Sequence, residues 1–428
     1  MIRNNPFLSD RFVTIWCRHF AKDETIRSFD ILPSINFVRH RFLPLFTNAG
    51  KTFTKGMDYA VSQTDSREHH KKVFLIYDVP EYFGTRGSTD QNMERDTALG
   101  TLHDIKRLGS HRSRQYPGFL IDLAGFKDTN DYLAKTFSKS SRYKLKKYKK
   151  RFEASFDVRY VMYRGDMEKD RYDDIFHAFK KLLEKRFDDK QITNNNLHPR
   201  EWRFYHEVTY PLLLENRASL FVIYNGETPV GVTLNFFSED ILFDAITVFD
   251  IDYAKFHLGS ITIMALLDWS LENKMSIFDF SKGYFDYKTR WATKKYDFEY
   301  HILYDSSSLR ARTLAQSLKA FFDFKQWLRN KKINEKLHRL TYRLSNKTPM
   351  KRVDSTYSFS DVQEKNPPSL GEQLLVEDLS NAHLRPMVFD FLYLNDEHFD
   401  KIKVYSALTG NSEYYLIGQT KTVRVTFS

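Results

Sequence analysis

With 428 residues and a mass of 50.9 kDa, the chain is long enough for more than one packed unit at roughly 150 residues each, and its 41% hydrophobic and 28% charged content excludes wholesale disorder. Lys and Arg outnumber Asp and Glu by 66 to 55, a formal net charge of +11 that favours anionic partners without choosing among them. The most apolar stretch, Phe256 to Leu267, is shorter than the roughly 20 residues of a spanning helix, Met1 to Asp10 lacks the apolar core of a secretory signal, and Cys17 alone permits neither an internal disulfide nor a four-cysteine zinc site, so a reducing, cytoplasmic location is expected.

In the first 125 residues, strand-like runs fall at Val13 to Cys17, Ile35 to Arg39, Val73 to Val79 and Gly118 to Leu123, and Arg86 to Gln115 reads as a charged loop or weak helix. A helix signal starts at Asp128 or Thr129, with Leu133, Phe137, Leu145, Tyr148 and Phe152 near one stripe. Between Ser138 and Arg151 its other faces carry Lys139, Arg142, Lys144, Lys146, Lys147, Lys149, Lys150 and Arg151, with no acid among them. A strand, Phe156 to Tyr163, and helices at Glu168 to Phe187 and Pro199 to Asn216 follow.

Next comes an antiparallel meander: Ala218 to Tyr224, an Asn225-Gly226 turn that tolerates positive φ, Pro229 to Phe237, and Ile241 to Phe249. Gly259-Ser260 opens an apolar helix to Asn273. A strand, Ile277 to Phe280, leads into the dense block Ser281 to Trp291, a strand at Tyr300 to Tyr304 and basic helices from Leu309 to Leu344. Residues 346–370, with Pro349, Pro367 and Pro368, read as a linker. Residues 371–428 read as a β-rich appendage with strands at Met387 to Leu394, Ile402 to Ala407, Tyr414 to Ile417 and Val423 to Phe427.

A meander, a loop and then a helix N-terminus suit an acyl-coenzyme A site, because first-turn N–H groups and the helix dipole hold a pyrophosphate without dedicated side chains. Gly259 would let the backbone approach the phosphates. An isolated Gly-Ser pair also simply starts a core helix, so context has to carry the reading. The segments GFLIDLAGFKDTNDYLAKTFSKSSRYKLKKYKKRF (Gly118 to Phe152), SLFVIYNGETPVGVTLNFF (Ser219 to Phe237), FDIDYAKFHLGSITIMALLDWSLENK (Phe249 to Lys274) and IFDFSKGYFDYKTRWA (Ile277 to Ala292) supply it. Together they resemble GNAT-superfamily acyltransferases of the cellulose-biosynthesis (CelD-like) type, related to FemAB-like aminoacyl transferases.

The resemblance implies an α/β (α+β) fold of tandem GNAT-like halves, each a mixed, mostly antiparallel sheet flanked by helices. Residues 1–127 would be a degenerate half, 128–153 a basic connecting helix and 154–345 the half that keeps the acyl-donor cleft. It implies acetyl-coenzyme A or another acyl-coenzyme A as co-substrate, held by Thr247, Val248 and Phe249 on the meander's last strand and by His257, Leu258, Gly259 and Ser260. Lys255 to Ser260 departs from the usual GNAT phosphate-loop pattern.

For transfer to an amine, Asp244 or Asp250 would take the proton, Asp244 being preferred because its side chain should share a face with Leu242 and Ile246, and Tyr287 would protonate the departing thiolate. Gly283 permits a bend that turns Tyr287 and Lys288 toward the cleft, where Lys288 would neutralise a phosphate or carboxylate. Arg142, Lys146, Asp279, Lys282, Tyr284 and Trp291 are the acceptor-binding candidates. The acceptor would be an amine or hydroxyl, in the resemblance a cell-envelope or polysaccharide precursor. The basic helix would serve a phosphorylated acceptor, a tRNA acceptor stem or an anionic membrane surface, or be a solvated connector. Two alternatives stay open: a FemAB-like transferase using aminoacyl-tRNA, and a catalytically silent module binding an anionic partner. His69, His70, His103 and His111 lack acids at ligand spacing, so no metal is expected. Hydrolase elbows, Walker A loops and dinucleotide fingerprints are absent from the sequence.

Overall fold

A computed structural model describes residues 2–21, 25–62, 67–81, 107–190, 195–331, 357–363, 370–374, 384–408 and 413–427. The chain opens with α1 (Asp10–Phe20), β1 (Ile26–Arg27), β2 (Phe37–Arg39), β3 (Leu45–Asn48), β4 (Val73–Pro80) and β5 (Leu108–Asp122). Helices α2 (Thr129–Thr136) and α3 (Lys139–Ser155), strand β6 (Val158–Tyr163), and helices α4 (Lys169–Lys190) and α5 (Pro199–Leu214) come next. The meander is β7 (Ala218–Asn225), β8 (Thr228–Phe237) and β9 (Ile241–Phe249), followed by α6 (Leu258–Glu272), β10 (Ile277–Lys282), α7 (Asp286–Trp291), β11 (Lys294–Asp305) and α8 (Leu309–Asn330). The C-terminal part holds β12 (Tyr357–Val362), β13 (Leu370–Leu374), α9 (Leu384–Asn395), β14 (Lys403–Ala407), β15 (Glu413–Ile417) and β16 (Thr422–Phe427).

The architecture is mixed α/β. One eleven-stranded sheet runs β1-β2-β3-β4-β11-β5-β10-β9-β8-β7-β6, and its neighbours are antiparallel except β3 with β4 and β9 with β10. Strand β11, late in the chain, inserts between β4 and β5 and so joins the first strands to the meander's side of the sheet. A separate antiparallel sheet, β12-β16-β15-β14-β13, shares a core with α9, α6 and α3 through Met387, Phe389, Val404 and Leu416. Helices α1, α4 and α5 cover the other core, around Phe12, Phe176, Phe204, Phe243 and Val248.

Several expected elements differ from those observed. Val13 to Cys17 lies in α1 rather than a strand: Ser9 caps that helix by accepting from the N–H of Phe12, and packing against α5 outweighs the β-branched run. Met387 to Leu394 is also helical, and its buried residues Leu384, Met387, Val388, Phe391 and Leu392 have helical spacing. Of the expected loop Arg86 to Gln115, residues from Leu108 onward belong to β5, while 86–106 lie outside the described residues. The helix from Asp128 is two helices, because Phe137 is extended and Ser138 caps α3 anew. Within 346–370, Tyr357–Val362 pairs with β16 as a strand; 346–356 and 364–369 lie outside the described residues, as do 332–344 of the basic helices.

Candidate active site

The site forms where β9 and β10 part. Their parallel pairing runs Ile277 with Ile241, Phe278 with Leu242 and Asp279 with Phe243, and goes no further, although β9 continues along β8 to Phe249. At the same level β9 bulges: Leu234 faces Ile246 and Asn235 faces Asp244, so Ala245 is the extra residue. This corrects the expected alternation. Ile246 joins Phe243 and Val248 in the core under α4, whereas Asp244 falls on the side of Thr247, whose hydroxyl donates to it at 2.8 Å. Beyond Phe243, alternate backbone groups of β9 face a gap instead of a strand.

Asp244 is buried, and desolvation raises its pKa against the opposing pull of the Thr247 hydrogen bond, Lys288 and Lys55. Tyr287 is partly exposed; desolvation and then the nearby Asp244 carboxylate raise its pKa, so the phenol holds its proton across the physiological range. Burial and Asp244's neighbour Lys288 make a different arrangement from the one expected. The Lys288 ammonium donates to the carbonyls of Phe280 (2.6 Å), Ser281 (3.2 Å) and Lys282 (3.1 Å), which converge because Ser281 and Gly283 adopt positive φ. With its donors taken, Lys288 locks the turn that carries Tyr287 instead of facing an anion. Desolvation lowers its pKa to about 8 despite Asp244 and Asp279.

Asp279 is fully buried, accepts from the Tyr296 hydroxyl, which lies 2.8 Å from both carboxylate oxygens, and accepts from the N–H of Ser281 at 2.7 Å, so it orders the end of β10. Lys282 pairs with buried Asp78 of β4 at 2.5 Å. Lys55, on the loop after β3, stands among Lys282, Lys288, Asp78 and Asp244; desolvation, then the two lysines, lower its pKa to about 8. Arg186 of α4 lies 4.7 Å over the Phe249 ring and close to Tyr287. Sequence reasoning missed Lys55 and Arg186: the first sits in a loop without periodicity, and the second is one cation among many on a charged helix.

The start of α6 abuts the end of β9, since a Cβ on Gly259 would meet the Phe249 ring at 3.0 Å. His257 adopts positive φ, makes no side-chain cap and stacks on Tyr148 of α3 at 3.9 Å, leaving the amides of Leu258 and Gly259 without a capping side chain, whereas the N–H of Ser260, an expected donor, is taken by the His257 carbonyl at 2.9 Å. These residues fit a pyrophosphate by chemistry: backbone donors, a helix N-terminus and a glycine at the point of close approach.

Three expected site residues are placed elsewhere. Trp291 is fully buried, stacked on Tyr132 and edge-on to Phe137 at 4.9 Å, and so anchors α7 to α2 instead of meeting a ligand. Arg142 donates to the carbonyls of Ala134 and Phe137, closing the end of α2. Asp250, the alternative base, is held by Lys185 at 2.5 Å and Arg385 at 3.6 Å and caps the turn after β9. Lys146 lines a groove of about 570 Å³ beside the second half of α6, with Lys149, Lys150, Met264 and Asp268. Tyr284 stands exposed at the turn, edge-on to Phe119.

Residues 139–289 match the family described as acetyltransferase (GNAT) domain, which covers α3 to α7 and the whole splayed region. For that stretch, which is less than half of the chain, the match supports a transferase in general terms. Among solved structures the chain is similar to a conserved protein of unknown function from Bacteroides thetaiotaomicron (11% identity, covering 71% of this chain and 92% of that one, TM-score 0.47). It is also similar to L-PGS from Bacillus licheniformis (12%, 74% and 98%, 0.42) and to FemX (10%, 62% and 83%, 0.43). At such identities and scores these likenesses do not say what this chain binds. No curated protein sequence matches it. Among the described residues no cluster of His, Cys, Asp and Glu could hold a metal, and no helix is long and apolar enough to cross a membrane.

Proposed function

We propose that the chain is an acyl-coenzyme A-dependent N-acyltransferase whose reaction takes place in the gap between β9 and β10. The observation that carries this reading is the coincidence, inside a matched GNAT domain, of the Asp244 bulge, the parting of the strands and the uncapped α6 N-terminus at the end of β9. A bound acyl-coenzyme A would supply the activated thioester. The amides of Leu258 and Gly259 would hold its pyrophosphate, and β9 amides near Thr247 to Phe249 would face the carbonyl oxygen. Asp244, made more basic by burial, takes the proton from the acceptor amine as its nitrogen bonds to the acyl carbon. Tyr287 gives its proton to the sulfur as the C–S bond breaks, and Lys288 and Asp279 hold that turn in place.

The acceptor in this reading is an amine, or a hydroxyl, of a cell-envelope or polysaccharide precursor, as the cellulose-biosynthesis-type resemblance implies. An aminoacyl-tRNA donor is the second reading, favoured by the basic face of α3. Thiol release from acetyl-coenzyme A, screened over amine and hydroxyl acceptors, is the test. Turnover that falls at least tenfold in Asp244→Asn and in Tyr287→Phe supports the proposal, whereas turnover equal to wild type in both removes these residues from the mechanism.

A further inference from the structure

We infer that the outward face of α8 is a docking surface for an anionic lipid bilayer. The inner face of this helix is ordinary core: Ala311, Ala315 and Phe322 are buried against β4, β5 and β11, and Phe322 stacks on Tyr300 at 3.9 Å. The outer face is not ordinary. Leu309 is 76% exposed, Phe321 and Phe324 57% each, and Trp327 51%. A spacing of three turns each successive residue back by about 60°, so Phe321, Phe324 and Trp327 share a sector of roughly 120°, with Leu309 in line with Trp327 five turns away. The rings of Phe324 and Trp327 lie stacked at 5.8 Å and 17°, forming one flat apolar platform open to solvent. A soluble surface rarely leaves such a group together without an occupant.

The borders of the stripe say which occupant. By helical angle Arg312 borders the stripe on one side and Lys325 on the other, Arg329 falls at the angle of buried Ala311, and the only acid of α8, Asp323, is already paired with Lys319 and accepts from Ser113. Arg329 spreads over the ring of exposed Tyr116 at 4.0 Å, which widens the aromatic surface. Aromatic and aliphatic residues in the centre with Lys and Arg at both edges match a bilayer interface, where rings sit at headgroup depth and cations meet anionic lipid. A nucleic acid would use the cations and the rings but leave Leu309 without a partner. Because no described helix is able to cross a membrane, the contact is peripheral.

Vesicle co-sedimentation tests this without any assay of acyl transfer, so it stands or fails separately from the proposed reaction. The intact chain is expected to bind vesicles of mixed phosphatidylcholine and phosphatidylglycerol, to bind phosphatidylcholine alone weakly, and to release as salt rises. Phe324→Ser, Trp327→Ser and the pair Arg312→Glu with Lys325→Glu should each weaken binding roughly tenfold, with circular dichroism confirming the fold. Lys146→Glu with Lys150→Glu on α3 should leave binding unchanged. Brominated lipid should quench the fluorescence of the intact chain and lose that effect in Trp327→Ser, since Trp16, Trp202 and Trp291 are buried and Trp269 is partly buried on α6. No binding to the mixed vesicles overturns the inference; so does binding that survives the α8 variants or disappears in the α3 variant, and so does a stripe that mediates self-association or RNA binding instead.

Discussion

Lys282, the last residue of β10, forms an ion pair at 2.5 Å with Asp78, a fully buried residue of β4 three places along the sheet. Asp78 also accepts from the Thr54 hydroxyl at 2.8 Å and sits at positive φ, so its carboxylate is fixed at this position. The pair ties the first strands to the edge of the candidate site. Removing one partner of a buried pair leaves an uncompensated charge, so Lys282→Met should lower stability by about 3 kcal/mol. The double variant Lys282→Met with Asp78→Asn should recover part of that loss in urea unfolding. Additive losses would mean the two residues act independently.

Lys55 lies in the same cluster and should behave in the opposite sense. Its pKa falls from 10.5 to about 8 in the fold, so between those values the unfolded chain binds more protons and stability rises with pH. At neutral pH the partly buried ammonium, beside two other lysines, is a standing cost. Lys55→Met should therefore stabilise the protein at pH 7 by about 2 kcal/mol and shrink the rise in stability between pH 8 and 10.5. A residue retained at such a cost is expected to serve the reaction. Methyl-lysine NMR adds a second check, since Lys282→Met should raise the Lys55 pKa; an unchanged pKa would place the two charges apart.

Gly118 faces Tyr296 across the β5–β11 ladder, and a Cβ there would lie 2.2 Å from the tyrosine Cζ. Tyr296 is buried and its hydroxyl is held by Asp279, so the ring has nowhere to go. Gly118→Ala should cost roughly 2 kcal/mol from overpacking, and Tyr296→Phe about 1–3 kcal/mol from the carboxylate it leaves without a donor. Thermal melts that show no change in either variant would remove this contact from the support of β10.

Lys288 and Tyr287, adjacent in sequence, should separate by experiment. Lys288→Ala leaves three carbonyls without their donor and should lower stability by about 3 kcal/mol along with turnover. Tyr287→Phe should keep the melting temperature within a degree or so and lower kcat with little change in KM. Equal loss of stability in both would make Tyr287 a packing residue.

The meander and the helices after it were legible because their cues are local: Asn225-Gly226 makes a tight turn, and Leu258 to Leu267 carries no charge. The splay was not legible as geometry, since the Ala245 bulge that turns Asp244 toward Thr247 leaves no mark on an alternation of apolar residues. The roles assigned to Trp291 and Arg142 failed for a related reason: a fully buried indole and a guanidinium bound to two carbonyls look, in sequence, like ligand contacts. Lys55 and Asp78 reach the site only through the insertion of β11 between β4 and β5, a long-range pairing that no local pattern announces. The α9 helix is the opposite case, because Leu384, Met387, Val388, Phe391 and Leu392 carried the helical period that an apolar run obscured.

Calorimetric titration with acetyl-coenzyme A and with free coenzyme A at moderate salt bears most directly on the donor site. Micromolar binding of both, weakened by Gly259→Val where the new side chain would press on Phe249, is the expected result. No detectable heat from either ligand would contradict acyl-coenzyme A as the donor and turn attention to an aminoacyl-tRNA on the basic face of α3.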